Sequence, residues 1–135
     1  MTSATLNMSW SSQVAARHGY AFIEPAGGSP KVFDQKLTNL FFCQPAPVDE
    51  QGAVFAHYIL SLPASARPRT AAYPTLDDPF AQPIAERVRG LFEGAGITTV
   101  FTQTYEADAD LRPMMTKMAA AKPDVVIAAT QSEDG

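Results

Sequence analysis

Hydrophobic positions along the chain form short continuous runs, separated by longer stretches in which they recur every three or four residues. Tyr20-Ala-Phe-Ile-Glu24 and Leu40-Phe-Phe-Cys43 are runs of strand length, and apolar runs without alternation suit parallel strands covered on both faces. Gln13 to His18 closes a short helix with Gly19 as its left-handed cap. Residues 1–12 are rich in Ser and Thr and show no period. Pro25 to Pro30 holds two prolines and two glycines, which forbids regular structure and lets the backbone approach another group closely. Lys31 to Asn39 is polar and reads as irregular. Val48, Val54, Phe55, Ile59 and Leu62 share one helical face, predicting a helix that Pro63 ends. Pro63-Ala-Ser-Ala-Arg-Pro68, small residues bracketed by prolines, reads as a linker.

The second half carries a clearer rhythm. Thr70 to Tyr73 predicts a short strand and Pro74 to Asp78 a turn. Asp78 caps the following helix, and Pro79 suits its first position because the missing N–H has no partner there in any case. Ile84, Val88, Leu91 and Phe92 recur at helical spacing until Gly94 and Gly96 stop the helix. Ile97 to Thr104, rich in β-branched and aromatic residues, is a strand. Asp108 or Asp110 caps a further helix with Leu111, Met114, Met115 and Met118 inward, ended by Lys122-Pro123. Val125 to Ala129 predicts a fully buried parallel strand. The order strand, helix, strand, helix, strand implies an α/β fold with a parallel sheet, whose ligands sit in crevices at the carboxyl ends of its strands.

Composition narrows the function classes. The 135 residues, 46% hydrophobic, suffice for one core and not for two complete domains. A net charge of −4 with scattered Lys and Arg argues against a nucleic-acid partner, which needs clustered cations. No run reaches the roughly 20 apolar residues of a membrane span. The first residues lack the basic and apolar regions of a signal peptide, so the chain reads as soluble. Cys43 is the only cysteine. No disulfide can form within the chain, and the expectation for Cys43 is an inert thiol in the core.

Little in the sequence points to chemistry. Ala26-Gly-Gly-Ser29 follows a strand, so its amides suit a carboxylate or phosphate, yet neither nucleotide-binding glycine pattern is present. Asp77 and Asp78 read as a helix cap and a solvated neighbour. His18 and His57 lie on different elements without metal-ligand spacing, and no G-x-S-x-G elbow surrounds Ser29. No catalytic residue, metal or cofactor is expected. A flavodoxin-like or Rossmann-type small domain, acting as regulator or enzyme, stays open as the alternative.

Taken together, Val14-Ala-Ala-Arg-His-Gly19, Ile23-Glu-Pro-Ala-Gly-Gly-Ser-Pro30, Asp77-Asp-Pro-Phe80 with its helix, and Lys117-Met-Ala-Ala-Ala-Lys-Pro-Asp-Val-Val126 resemble the type I periplasmic binding proteins of the leucine/isoleucine/valine-binding family, the solute receptors of amino-acid and amide ABC transporters. The resemblance implies two Rossmann-like lobes that close on a ligand. Here they would be incomplete: the end of a first lobe at 1–62, a hinge at 63–68 and the start of a second lobe at 69–135. Family members run to more than twice this length and begin with an export signal, so the expectation is a fragment of an extracytoplasmic parent. By the same resemblance, Gly27, Gly28 and Ser29 hold the ligand's α-carboxylate and α-ammonium, and a serine-rich loop near Thr2 to Thr5 contributes. Phe80 packs on the ligand from the second lobe, and Gln131 faces the cleft. The implied partners are a small amino acid or amide and, through the full-length parent, the membrane permease of an ABC transporter.

Overall fold

A computed structural model of the chain describes residues 4–24, 28–43 and 47–130. The chain opens on helix α1, Ala4–Arg17. Gly19, at φ +71°, closes it: the amides of Gly19 and Tyr20 donate to the carbonyls of Ala16 and Ala15 at 3.2 and 2.9 Å. This is the paired bonding of a left-handed helix terminus. The cap lies where the sequence puts it, but the helix is far longer than the expected Gln13–His18. Its buried side chains include Ser12, whose hydroxyl donates to the Ser9 carbonyl at 3.1 Å, while Trp10 and Val14 face solvent. A helix whose inward face is partly polar carries no apolar period to read.

Strands β1, Phe22–Glu24, and β2, Leu40–Phe42, pair in parallel, with Phe22 opposite Leu40 and Glu24 opposite Phe42. Between them Pro30–Phe33 forms a single turn of helix, α2, where the sequence suggested irregular backbone. Proline at its start supplies a preset φ, and Phe33 packs edge-on against Phe42 with ring centroids 4.9 Å apart. The expected two-sided burial of these strands does not occur. Ile23 and its neighbour Phe41 are exposed, because only one face of this two-stranded ribbon is covered. Cys43 continues the open face and is exposed, contrary to its expected place in the core.

Helix α3, Val48–Ser61, packs along α4, Ala81–Gly94. Its buried residues are Val48, Ala53 and Ala56, while Val54 and Phe55 are 68% and 72% exposed. The predicted inward face is therefore wrong in its middle turns. Close approach of α4 selects small side chains: a Cβ on Gly52 would stand 2.7 Å from Cγ2 of Ile84. Ala56 joins Ala71, Tyr73, Val88, Phe92 and Ile97 in one apolar cluster. The 63–68 segment, expected as a hinge, forms a turn in which the amides of Ala66 and Arg67 donate to the Pro63 carbonyl at 2.8 and 3.1 Å.

The second sheet has the order β4-β3-β5, with β3, Thr70–Leu76, β4, Thr98–Tyr105, and β5, Val125–Val126, all parallel. β3 runs three residues past its predicted end, through Pro74. Parallel register pairs Ala72 with Val126, and the Pro74 carbonyl accepts the Ala129 amide at 3.2 Å. The N–H that Pro74 lacks is thus the one that would meet the Ile127 carbonyl. The ladder breaks there and resumes as a bridge between Thr75 and Ala129, so the predicted strand Val125–Ala129 is interrupted. Nor is it fully buried, since Val126 is exposed on an edge strand. Helix α5, Arg112–Ala120, buries Met114 and Met118 but leaves Met115 exposed. Met114 joins Leu76, Ala81, Ala85, Tyr105 and Ala129 in a second cluster, with Leu111 against it. Residues 114 and 118 share a face, whereas 115 lies a quarter-turn away.

Candidate functional site

In parallel sheets, the loops that leave the carboxyl ends of the strands share one edge and frame the crevice. After β1 the described chain resumes at Gly28 and Ser29, and after β2 it leads to α3. These two are tied directly, because the Val48 amide donates to the Gly28 carbonyl at 3.0 Å. A Cβ on Gly28 would lie 2.8 Å from Cζ of Phe42 and 3.3 Å from the Val48 amide nitrogen, so glycine permits this approach of the two loops.

Ser29 precedes α2 with extended backbone, φ −61° and ψ 135°, and makes no side-chain cap. Its carbonyl accepts the Val32 amide at 2.9 Å. The side chain is fully buried, and its hydroxyl has no hydrogen-bond partner among the described residues. Leaving such a group unmatched costs about 1–3 kcal/mol. Glu24, at the end of β1, is also fully buried. Sequence reasoning passed over this acid. Its one visible signal is a carboxylate that closes an apolar run directly before the turn. Gly27 and Gln131 lie outside the described residues, as do Thr2 and Ser3. Ala4 and Thr5 are in α1 and not in a loop.

On the second sheet the same edge carries Asp77, Asp78 and Phe80 after β3. The Asp78 carboxylate accepts the amides of Phe80 and Ala81 at 2.7 and 2.8 Å, and its carbonyl accepts the Gln82 amide at 3.1 Å. Asp78 therefore caps α4 with Pro79 next in line, as read from the sequence. Asp77 is exposed and bonds Nε2 of Gln82. Phe80 is half-buried, held at the mouth of the helix by the Asp78 bond. The Asp77 amide bonds the Tyr105 carbonyl at 2.8 Å and the Leu76 amide the Ala129 carbonyl at 2.9 Å, which ties the ends of β3 and β4 to the chain just beyond β5.

Electrostatic perturbation lies elsewhere. Asp110, one of the two proposed caps of α5, accepts both the Arg112 amide at 3.1 Å and its Nε at 2.9 Å. That pairing holds the carboxyl below the usual range. Asp124 is lowered chiefly by the Arg69 amide. Burial pushes the Tyr73 phenol up to about 12, with the Glu93 carboxylate adding to the effect. Among the described residues no group of three His, Cys, Asp or Glu side chains is placed to hold a metal ion, and no helix is long and apolar enough to cross a membrane.

Loops gathered at the carboxyl ends of parallel strands are the arrangement in which α/β folds place their crevices. Solved structures share this arrangement. An ABC transporter substrate-binding protein from Desulfitobacterium hafniense, in complex with Leu, superposes with a TM-score of 0.73 at 19% identity, covering 95% of this chain and 37% of its own. An amino acid ABC transporter substrate-binding protein from Pseudomonas fluorescens Pf-5 gives 0.74 at 18% identity, over 92% of this chain and 33% of its own. A periplasmic binding protein from Burkholderia mallei gives 0.74 at 13% identity, over 92% and 32%. The chain thus has the fold of a periplasmic binding protein and spans about a third of the length of these relatives. No protein-family model and no curated protein sequence matches it.

Proposed function

We propose that the chain is a ligand-contacting portion of a solute receptor for ABC-type uptake or sensing, which captures a small amino acid, amide or related polar solute without transforming it. The observation that carries this reading is the similarity to amino acid substrate-binding proteins along nearly the whole chain, one of them bound to Leu. The unmatched hydroxyl of Ser29 at the carboxyl edge of β1 supports it. Gly27, Gly28 and Ser29 hold the polar end of the solute. Phe80 packs on it from the second sheet, and Gln131 is a further contact assigned by the resemblance alone. The parent would act outside the cytoplasm with a membrane permease as its partner.

Thermal melts of the 135-residue chain against aliphatic amino acids and small amides test this. A ligand that binds only the native state stabilises it by about 2.7 kcal/mol at about a hundredfold excess over Kd. A midpoint raised by one solute, and no longer raised in Ser29→Ala, is the expected result. If no solute in the panel moves the midpoint, this chain does not hold a working site.

A further inference from the structure

A second groove lies at the opposite end of the second sheet. It has a volume of about 540 Å³ and is lined by Ile59 and Leu62 of the α3 terminus, Arg67 and Arg69 of the following turn, and Asp124 and Val125 at the start of β5. Arg69 and Asp124 directly precede β3 and β5. The groove is therefore at the amino edge, about 20 Å along β3 from the crevice edge, at roughly 3.3 Å per residue.

Its floor is fixed by reciprocal bonds. The Asp124 carboxylate accepts the amides of Arg69 and Thr70 at 2.8 and 3.1 Å, and the Asp124 amide donates to Oγ1 of Thr70 at 2.9 Å. That acid is engaged by backbone donors. Arg67 donates Nε to the Leu62 carbonyl at 3.1 Å, which anchors its guanidinium at the rim with the terminal nitrogens unspent on that bond. Two guanidinium groups against one engaged carboxylate leave the groove with a net positive charge, beside an apolar wall of Ile59, Leu62 and Val125. We infer that this groove is a binding site for a small carboxylate with a short apolar body, its oxyanion held between Arg67 and Arg69 and its chain against Ile59, Leu62 and Val125. Fork-shaped donors match a carboxylate through two parallel bonds, and the apolar wall favours an acyl chain over a bare anion.

Amide chemical-shift titration of the full chain with hexanoate, acetate, inorganic phosphate and hexanol tests the inference. Hexanoate should give saturable shifts at Arg69, Thr70 and Val125, acetate and phosphate should bind more weakly, and hexanol should not saturate. Loss of the two charge-assisted partners in R67Q/R69Q should weaken hexanoate by about tenfold or more, and added salt should weaken it in the parent. R69Q alone removes no hydrogen bond of the fold described above, and its melting point confirms that the scaffold stands. Shifts that fail to saturate, that survive the double substitution, or that hexanol reproduces would overturn the assignment. Phosphate binding as tightly as hexanoate would do the same for the acyl-chain specificity.

Discussion

Gly52 of α3 faces Ile84 of α4 so closely that a Cβ on the glycine would sit 2.7 Å from the isoleucine Cγ2. No carbon pair tolerates that distance, so this contact sets how near the helices lie. Beside it Arg87 meets Glu50 at 3.0 Å, a half-exposed ion pair worth about 0–1 kcal/mol. The packing, and not the charge, holds the helices together.

Gly52→Ala should therefore destabilise the chain by about 1–2 kcal/mol, since overpacking outweighs the better helix propensity of alanine. Gly90 lies in α4 with open space around it, since a Cβ there would meet nothing within 4 Å, and Gly90→Ala should stabilise by about 0.5–1 kcal/mol. Urea unfolding of the two variants checks both signs.

The buried faces of α3 give a second contrast. Phe55→Lys, at a position 72% exposed, should change stability by no more than about 0.5 kcal/mol. Ala56→Leu, at a position fully buried against the core, should cost about 1–3 kcal/mol. Equal effects at the two positions would contradict the orientation of the helix.

Asp124 carries a prediction for acid pH. Its carboxyl is lowered by the amides of Arg69 and Thr70, so the stabilisation is fully present above the unfolded value of about 4. It is lost as pH falls through the lower folded value. Asp124→Asn should lower stability at pH 7 and flatten the acid limb of the stability profile. Asp110, lowered by Arg112, accounts for a further part of the same window.

Tyr73 carries one for alkaline pH. Its phenol is buried and pushed up to about 12, so its contribution is intact below about 10 and is lost as pH rises through the folded value. The absorbance titration of the parent minus that of Tyr73→Phe should show one phenol titrating near 12. At neutral pH the variant should match the parent within about 1 kcal/mol, because the buried phenol has only a weak contact with Thr99 and no well-formed hydrogen bond among the described residues.

At the crevice edge, Ser29→Ala should leave the unliganded chain as stable as the parent or more so, by removing an unmatched hydroxyl. Its effect should appear only in the solute-dependent part of the melt. A large loss of stability without solute would assign Ser29 to packing.

The pattern of residues alone determined the order of elements from β3 to β5, the Gly19 terminus and the Asp78 cap, and it narrowed the cap of α5 to Asp108 or Asp110. Each of these rests on bonds within a few residues, or on a period that an amphipathic helix repeats several times. What lies on top of each element was decided only by tertiary structure. The close approach at Gly52 turned Phe55 outward and Ala56 inward. The uncovered face of the first ribbon exposed Ile23, Phe41 and Cys43. Pro74, which reads locally as a turn, sits within β3 because its neighbours still pair on both sides, at the cost of one bond to β5. Hydrogen bonds to near neighbours are written in the chain, whereas burial depends on which distant surface arrives, and that is a property of the assembled fold.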